Sequence, residues 1–191
     1  MILQDQLNIR KKTHLIFDLD ETLLELILPW DLWEKDIEDE LRKIDGDILK
    51  DYQSGKVNLS QLENLYVKKY PKTLKLLIRN ALKFEAENLK DIRVNQPLIN
   101  FIKSTQGYKM SIWSSNSRPI VKKVLQKVGI LAKFEKLITR EDVKFLKPEA
   151  DGFNKIWDDK IPKSQYLFIG NSEADQEAAH KAQIDFFKIS F

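Results

Sequence analysis

The chain has 191 residues, of which 42% are hydrophobic, and this is enough for one domain, or one domain with a modest insertion. Its 32 Lys and Arg residues face 29 Asp and Glu residues, and because the two signs are interleaved we expect no nucleic-acid partner. The absence of cysteine excludes disulfides, thiolate zinc sites and a cysteine nucleophile. Residues 1–12 lack the apolar core of a signal peptide and no run is long enough to cross a membrane, so we expect a cytoplasmic protein without a membrane partner.

The first apolar run, residues 14–17, predicts a buried β-strand. Residues 29–89 then show helical periodicity with almost nothing that resembles a strand, and they predict a small all-helical insert. Its predicted helices cover residues 31–44, 59–70 and 72–89. Trp30 and Trp33 lie near the start of this insert, where they can either meet a leaving group or pack at a hinge.

The rest of the chain alternates between strands and helices. Strands are predicted for residues 109–113, 134–138, 166–169 and 186–189. Helices are predicted for residues 119–128, 150–157 and 175–182. This alternation predicts an α/β fold, with a parallel sheet between two layers of helices.

Acidic residues follow directly on the first predicted strand. Side chains two apart on an extended backbone point the same way, so Asp18 and Asp20 can face one site. A hard divalent cation relieves their repulsion, and magnesium suits a site with few carboxylates and a phosphate substrate. Asp175 and the side-chain oxygen of Asn171, which follow the strand at residues 166–169, can complete this magnesium site.

Two further residues suit phosphate chemistry. Lys147 would lie near both the phosphate and the nucleophilic carboxylate, and Ser115 can donate to a phosphoryl oxygen. A carboxylate can be phosphorylated to an aspartyl-phosphate, provided that an acid protonates the leaving alcohol and a base later activates water. One neighbouring carboxyl group can fill both roles.

The four segments at residues 18–22, 115–116, 147–148 and 170–175 resemble the dispersed motifs of the haloacid dehalogenase-like (HAD) hydrolase superfamily. The resemblance implies a Rossmann-like parallel sheet as the core, formed by residues 1–28 and 90–191, and a helical cap of the first type at residues 29–89. It implies that Asp18 is the nucleophile and that Asp20 is the general acid and base. It also assigns a group of residues to phosphate or substrate binding: Thr22, Ser115, Asn116 and Lys147.

The fourth motif departs from the family pattern, which commonly reads Gly-Asp with a second Asp four places later. This chain has Asn171 at the first acidic position and keeps Asp175 at the second. The magnesium ligands implied are Asp18, Asp20 through its backbone carbonyl, Asn171 and Asp175. One formal charge is missing from this set, which predicts weaker metal binding. Glu173 is an alternative source of that charge, or else a solvated residue at the start of a helix.

The leading hypothesis is a magnesium-dependent phosphatase that hydrolyses a small phosphorylated metabolite through an aspartyl-phosphate intermediate. The presence of Asp20 disfavours carbon–halogen chemistry, because the dehalogenases of the family lack this residue. Phosphonate cleavage would need a cap lysine that forms a Schiff base, and the sequence does not rank the lysines of the insert. The alternative is a weak or inactive protein of the same fold that binds a phosphate ligand or a protein partner, which Asn171 favours. Both a monomer and a homodimer are compatible with the sequence.

Overall fold

A computed structural model of the chain describes residues 9–191, so the first part of the polar start, residues 1–8, lies outside the described residues. The strands are β1 (His14–Phe17), β2 (Leu24–Ile27), β3 (Asp91–Val94), β4 (Lys109–Trp113), β5 (Lys136–Ile138), β6 (Tyr166–Gly170) and β7 (Asp185–Lys188). The α-helices are α1 (Trp30–Arg42), α2 (Leu49–Gln53), α3 (Leu59–Lys69), α4 (Thr73–Asn88), α5 (Gln96–Ser104), α6 (Arg118–Lys127), α7 (Asp151–Ile156) and α8 (Glu173–Ala182). None of these helices is long and apolar enough to cross a membrane.

Five strands form one parallel sheet in the order β5-β4-β1-β6-β7. They are the five strands predicted from the sequence, with ends that shift by one or two residues. The central strand β1 lies between β4 and β6, and Phe17 is in register with Ile112 and Ile169. The residues that follow these three strands therefore emerge at the same edge of the sheet.

The sheet is covered by helices on both faces. Alternate residues of β1 belong to two separate core clusters, with Leu15 and Phe17 in one and Ile16 in the other. The first cluster contains the apolar faces of α5 and α6, and the second contains those of α7 and α8. Strands buried on both faces read as continuous apolar runs, and the predicted three-layered α/β fold is confirmed.

A second, antiparallel sheet of β2 and β3 has no counterpart in the sequence prediction. Both strands have only four residues and are partly exposed, which gives a short alternation that is hard to separate from a loop. Arg93 donates from Nε to Glu25 across the two strands, at 2.5 Å. These two strands lie directly before and directly after helices α1–α4 in the chain, so their pairing brings the two ends of this helical segment together.

Helices α1–α4 occupy the segment between β2 and β3. They share a buried interior that includes Leu41, Leu62 and Leu77. Helix α3 begins at a capping box, in which Asn58 and Gln61 each accept a hydrogen bond from the backbone N–H of the other. The described helices agree with those predicted at residues 31–44, 59–70 and 72–89, and α2 is an additional short helix.

Candidate active site

The carboxyl ends of the central strands open into a cavity of about 300 Å³. Helices α1, α3 and α4 contribute the residues on its other side. Of the residues predicted to catalyse the reaction or to bind phosphate, substrate or metal, Thr22 is fully buried beside the cavity and the others line it. The lining members of that set are Asp18, Asp20, Ser115, Asn116, Lys147, Asn171 and Asp175. The fold thus brings four distant sequence segments to one place.

Lys147 joins the first and fourth segments through its ammonium group. Its Nζ donates to Asp18 Oδ1 at 2.5 Å and to Asp175 Oδ1 at 2.6 Å, and it lies 3.3 Å from the carbonyl oxygen of Trp113. All three charged groups are buried. Burial alone would favour the neutral lysine, but the two carboxylates outweigh it and raise the pKa of Lys147 above its ordinary value. The cation is therefore held in place whenever the carboxylates are ionised.

The two carboxylates respond differently to the same burial. Burial raises the pKa of Asp18 to about 6, against the opposing charge of Lys147. Burial also acts against the ionised form of Asp175, but Lys147 and hydrogen bonds from Ser172 outweigh it and lower the pKa of that carboxyl. Asp175 therefore remains the constant anion of the pair, and Asp18 is the group whose charge depends on what binds beside it.

Gly170 allows Asp175 to lie close to the end of β6. A Cβ atom at this position would stand 2.7 Å from Asp175 Oδ2, closer than a side chain tolerates. Asp175 in turn completes a capping box with Ser172 at the start of α8. The glycine and the helix start thus set the position of the aspartate that Lys147 contacts.

Asp20 lies beyond the end of β1 and is oriented by the small sheet. Its Oδ1 accepts a hydrogen bond from the backbone N–H of Leu26 in β2, at 2.7 Å. Burial raises the pKa of Asp20 to about 7, although this hydrogen bond favours the ionised form. Near neutral pH the group is populated in both protonation states, which suits an acid in one step and a base in the next.

Thr22 connects Asp18 to Asn171. Its Oγ1 lies 3.1 Å from Asp18 Oδ2 and 3.1 Å from Asn171 Oδ1. The amide nitrogen of Asn171 donates to Glu21 at 3.1 Å, so the amide oxygen faces Thr22 and Asp18. Thr22 therefore orients two side chains of the site. Glu173 is exposed and is not among the residues that line the cavity, whereas Glu21 lines it.

The oxygen donors of this site suit magnesium. They carry one formal negative charge fewer than they would with a carboxylate at position 171. Within residues 9–191 no three His, Cys, Asp or Glu side chains are grouped so that they could hold a metal ion by themselves. The side-chain oxygens of Asp18, Asn171 and Asp175 accept hydrogen bonds from Lys147, Thr22 and Ser172. These oxygens and the carbonyl of Asp20 are all oxygen donors of the kind that magnesium takes.

The loop after β4 carries Ser115 and Asn116 and is held by a buried glutamate from α4. Glu85 accepts hydrogen bonds from the Asn116 amide at 3.0 Å and from the backbone N–H of Ser117 at 3.0 Å. Burial raises the pKa of Glu85, although these donors oppose the shift. Ser114 donates to the Asn116 amide oxygen at 2.9 Å. The Asn116 side chain is thus bonded within the protein, and Ser115 lines the cavity.

A buried ion pair links the same loop to α3. Arg140 pairs with Glu63, and its Nε donates to the carbonyl oxygen of Ser115 at 3.0 Å. The guanidinium also lies 5.9 Å from the ring centre of Trp33. Since Glu63 comes from the helical segment and Arg140 from the end of β5, this pair ties the two sides of the cavity together.

Glu63 and Glu85, on the helical side of the cavity, were not predicted from the sequence. Both residues lie among buried apolar residues on the inner faces of α3 and α4. A charged residue on the apolar face of a predicted helix indicates a specific polar contact, and this signal was available in the sequence. Phe84 of α4 both packs in the hydrophobic core and lines the cavity. Trp30 and Trp33 line the cavity as well as packing against Phe84.

Comparisons with known proteins agree with this architecture. The sequence profile of the haloacid dehalogenase-like hydrolase family matches residues 15–189. A haloacid dehalogenase-like hydrolase from Bacteroides fragilis has a similar structure, with a TM-score of 0.57, 22% identity and coverage of 93% of this chain and 87% of that chain. The magnesium-bound HAD-hydrolase YfnB from Bacillus subtilis has a TM-score of 0.55, 19% identity and coverage of 93% and 86%. A HAD phosphatase from Thermococcus onnurineus has a TM-score of 0.54, 22% identity and coverage of 93% and 86%.

A comparison with curated proteins finds no match. The structural likenesses, at these identities, establish the fold. The family profile spans nearly the whole chain and includes all four segments that meet at the cavity. The chain therefore belongs to the haloacid dehalogenase-like hydrolase family.

Proposed function

We propose that the protein is a magnesium-dependent phosphatase that hydrolyses a small phosphomonoester through an aspartyl-phosphate intermediate. The observation that carries this proposal is the buried Lys147 ammonium held between Asp18 and Asp175 at the floor of the cavity. A fixed cation beside a carboxylate of raised pKa suits the binding of a phosphate dianion next to a nucleophile. The phosphatase named from Thermococcus onnurineus supports the same reaction class.

In the first step the Asp18 carboxylate attacks phosphorus, and the bond from phosphorus to the alcohol oxygen breaks. Asp20, in its protonated form, gives its proton to that oxygen, and the alcohol leaves. Ser115 and Lys147 are placed to donate to the phosphoryl oxygens, whose charge is spread in the transition state. The product on the enzyme is an acyl phosphate of Asp18.

In the second step a water molecule attacks phosphorus and gives its proton to ionised Asp20. The bond from phosphorus to Asp18 breaks, which releases inorganic phosphate and restores the carboxylate. Since the pKa of Asp20 is raised to about 7, one side chain can serve both steps near neutral pH.

Magnesium would be held by Asp18, the carbonyl of Asp20 and the amide oxygen of Asn171, with Asp175 nearby. When bound, it would offset the negative charges of the phosphate and of Asp18. The magnesium-bound state of the Bacillus subtilis hydrolase supports this choice of ion.

We assign residues 29–89 the role of a cap, because α1, α3 and α4 line the cavity opposite the predicted catalytic residues.

The proposal predicts magnesium-dependent release of inorganic phosphate by the purified protein from at least one member of a panel of small phosphomonoesters. Excess chelator should abolish the release, and added magnesium should restore it. The readout is a colorimetric phosphate assay, with a chelator-treated sample of the same preparation as the control. No release from any ester, together with no magnesium binding in calorimetry, would favour the non-catalytic alternative.

Replacing Asn171 with aspartate is expected to strengthen magnesium binding by roughly tenfold, because it restores one ligand charge in a partly buried site. The measurement is the magnesium concentration that half-activates phosphate release, supported by calorimetric titration of the protein with magnesium alone. Asn154→Asp adds the same charge at an exposed position of α7 and should leave both values unchanged. An equal effect of the two variants would show that Asn171 is not a ligand.

A further inference from the structure

The lining of the cavity is strongly acidic. It contains seven acidic and two basic side chains among the described residues. The acidic residues are Asp18, Asp20, Glu21, Glu34, Glu63, Glu85 and Asp175, and the basic residues are Arg140 and Lys147. The charges of a bound magnesium ion and a phosphate dianion would cancel at the floor of the cavity. The outer part of the cavity would therefore stay acidic when substrate is bound.

Both basic side chains are already engaged. Lys147 is paired with Asp18 and Asp175, and Arg140 is paired with Glu63. Within residues 9–191 the lining therefore has no cation left to pair with a carboxylate on the alcohol part of a substrate. A negatively charged leaving alcohol would enter this cavity against the charge of its walls.

Aromatic rings form part of the helical side of the cavity. Trp30 and Trp33 lie with their ring centres 6.3 Å and 5.1 Å from that of Phe84. Arg140 already occupies a position against Trp33, which shows that a cation is accommodated beside these rings. Trp30 is 36% exposed, and no lysine or arginine of the described chain lies over its ring or over that of Phe84.

From these contacts we infer that the alcohol part of the substrate carries a positively charged nitrogen, which lies against Trp30 and Phe84 with Glu34 as the nearby exposed anion. This inference rests on the proposed phosphatase function and specifies its substrate class. Aromatic faces and a carboxylate together attract an ammonium group, and the attraction grows when the site is partly shielded from water. The phosphate end of the substrate faces Asp18 and Lys147, and the ammonium end faces α1 and α4.

The test compares three esters of equal length that differ in the charge at the far end: 2-aminoethyl phosphate, 2-hydroxyethyl phosphate and phosphoglycolate. With magnesium present, we expect kcat/KM to be at least about fivefold higher for the ammonium ester than for the hydroxyl ester. The carboxylate ester should be the poorest of the three. Equal values for all three esters, or a preference for phosphoglycolate, would overturn the inference.

Two variants locate the source of the preference. Glu34→Gln removes one charge at constant shape, and Trp30→Leu removes an exposed ring. Each variant should lower the ratio of kcat/KM for the ammonium ester to kcat/KM for the hydroxyl ester by about threefold or more. Asp36→Asn is the matched control, because Asp36 is an exposed aspartate on the same helix that does not line the cavity. If Asp36→Asn changes the ratio as much as Glu34→Gln does, net charge alone explains the effect and the inference is wrong.

A generic ester, p-nitrophenyl phosphate, separates the two levels of the proposal. Hydrolysis of this ester without any ammonium preference would overturn only the substrate class. If no ester is hydrolysed, the proposed function fails, and calorimetric titration with choline still tests the aromatic wall. Choline binding that is weakened in Trp30→Leu would support a site for organic cations, and no choline binding to the unmodified protein would overturn it.

Discussion

Replacement of Asp18 by asparagine is expected to reduce phosphate release at least about 1000-fold, because the amide cannot attack phosphorus as the carboxylate does. Asparagine has nearly the same shape and can still accept a hydrogen bond from Lys147, which now lies 2.5 Å from Asp18. The fold should therefore persist while the reaction is lost. The measurement is the initial rate of phosphate release at saturating magnesium, with circular dichroism of the same samples to verify folding.

Asp159→Asn is the matched control for this experiment. Asp159 is exposed in the segment before β6, so the same chemical change there should leave the rate unchanged. The rate left in Asp18→Asn sets an upper limit on any contaminating phosphatase, since a contaminant would act equally in all preparations. A folded Asp18→Asn protein that retains a substantial share of the wild-type rate would exclude Asp18 as the nucleophile.

Replacement of Lys147 by methionine is expected to lower the free energy of unfolding by about 3–5 kcal/mol at neutral pH, because it leaves two buried carboxylates without their cation. Lys147 is 6% exposed, Asp18 is 5% exposed and Asp175 is 1% exposed, so solvent cannot replace the ammonium group. Activity should fall as well, since Lys147 is placed beside both the nucleophile and the phosphate. The measurement is urea unfolding followed by circular dichroism, with phosphate release assayed in parallel.

Lys181→Met is the control for loss of a paired lysine. Lys181 contacts Glu149 at 2.8 Å and Glu177 at 3.0 Å, but its side chain is 35% exposed, so its loss should cost less than about 1 kcal/mol. Equal losses in the two variants would show that the buried cluster has no special energetic role.

The cost of Lys147→Met should also depend on pH. The pKa of Asp175 is lowered in the folded protein, so its contribution to stability is fully present above the ordinary value of 3.8 and is lost as the pH falls through the lowered folded-state pKa. In the variant, burial without the ammonium group favours the protonated carboxyls. The difference in unfolding free energy between the wild type and the variant should therefore shrink as the sample is acidified. A difference that is constant with pH would contradict an electrostatic origin.

Residues 14–17 and 166–169 show why the core fold could be predicted. Strands buried on both faces of a parallel sheet are continuous apolar runs, and helices between them have a clear 3.6-residue pattern. The small sheet shows the opposite case, because Leu24–Ile27 and Asp91–Val94 are short, and 63 residues lie between them. Their pairing is a long-range contact with no local pattern, and it is this sheet that orients Asp20.

The sequence by itself determined the family, the succession of strands and helices along the chain, and the set of candidate residues around Asp18, because strand periodicity and motif spacing are local properties of the chain. Only the tertiary structure decided which polar groups meet. It pairs Arg140 with Glu63 and bonds Glu85 to the loop after β4. These contacts join residues that are far apart in sequence, so their positions follow from packing of the helices against the end of the sheet rather than from any pattern along the chain.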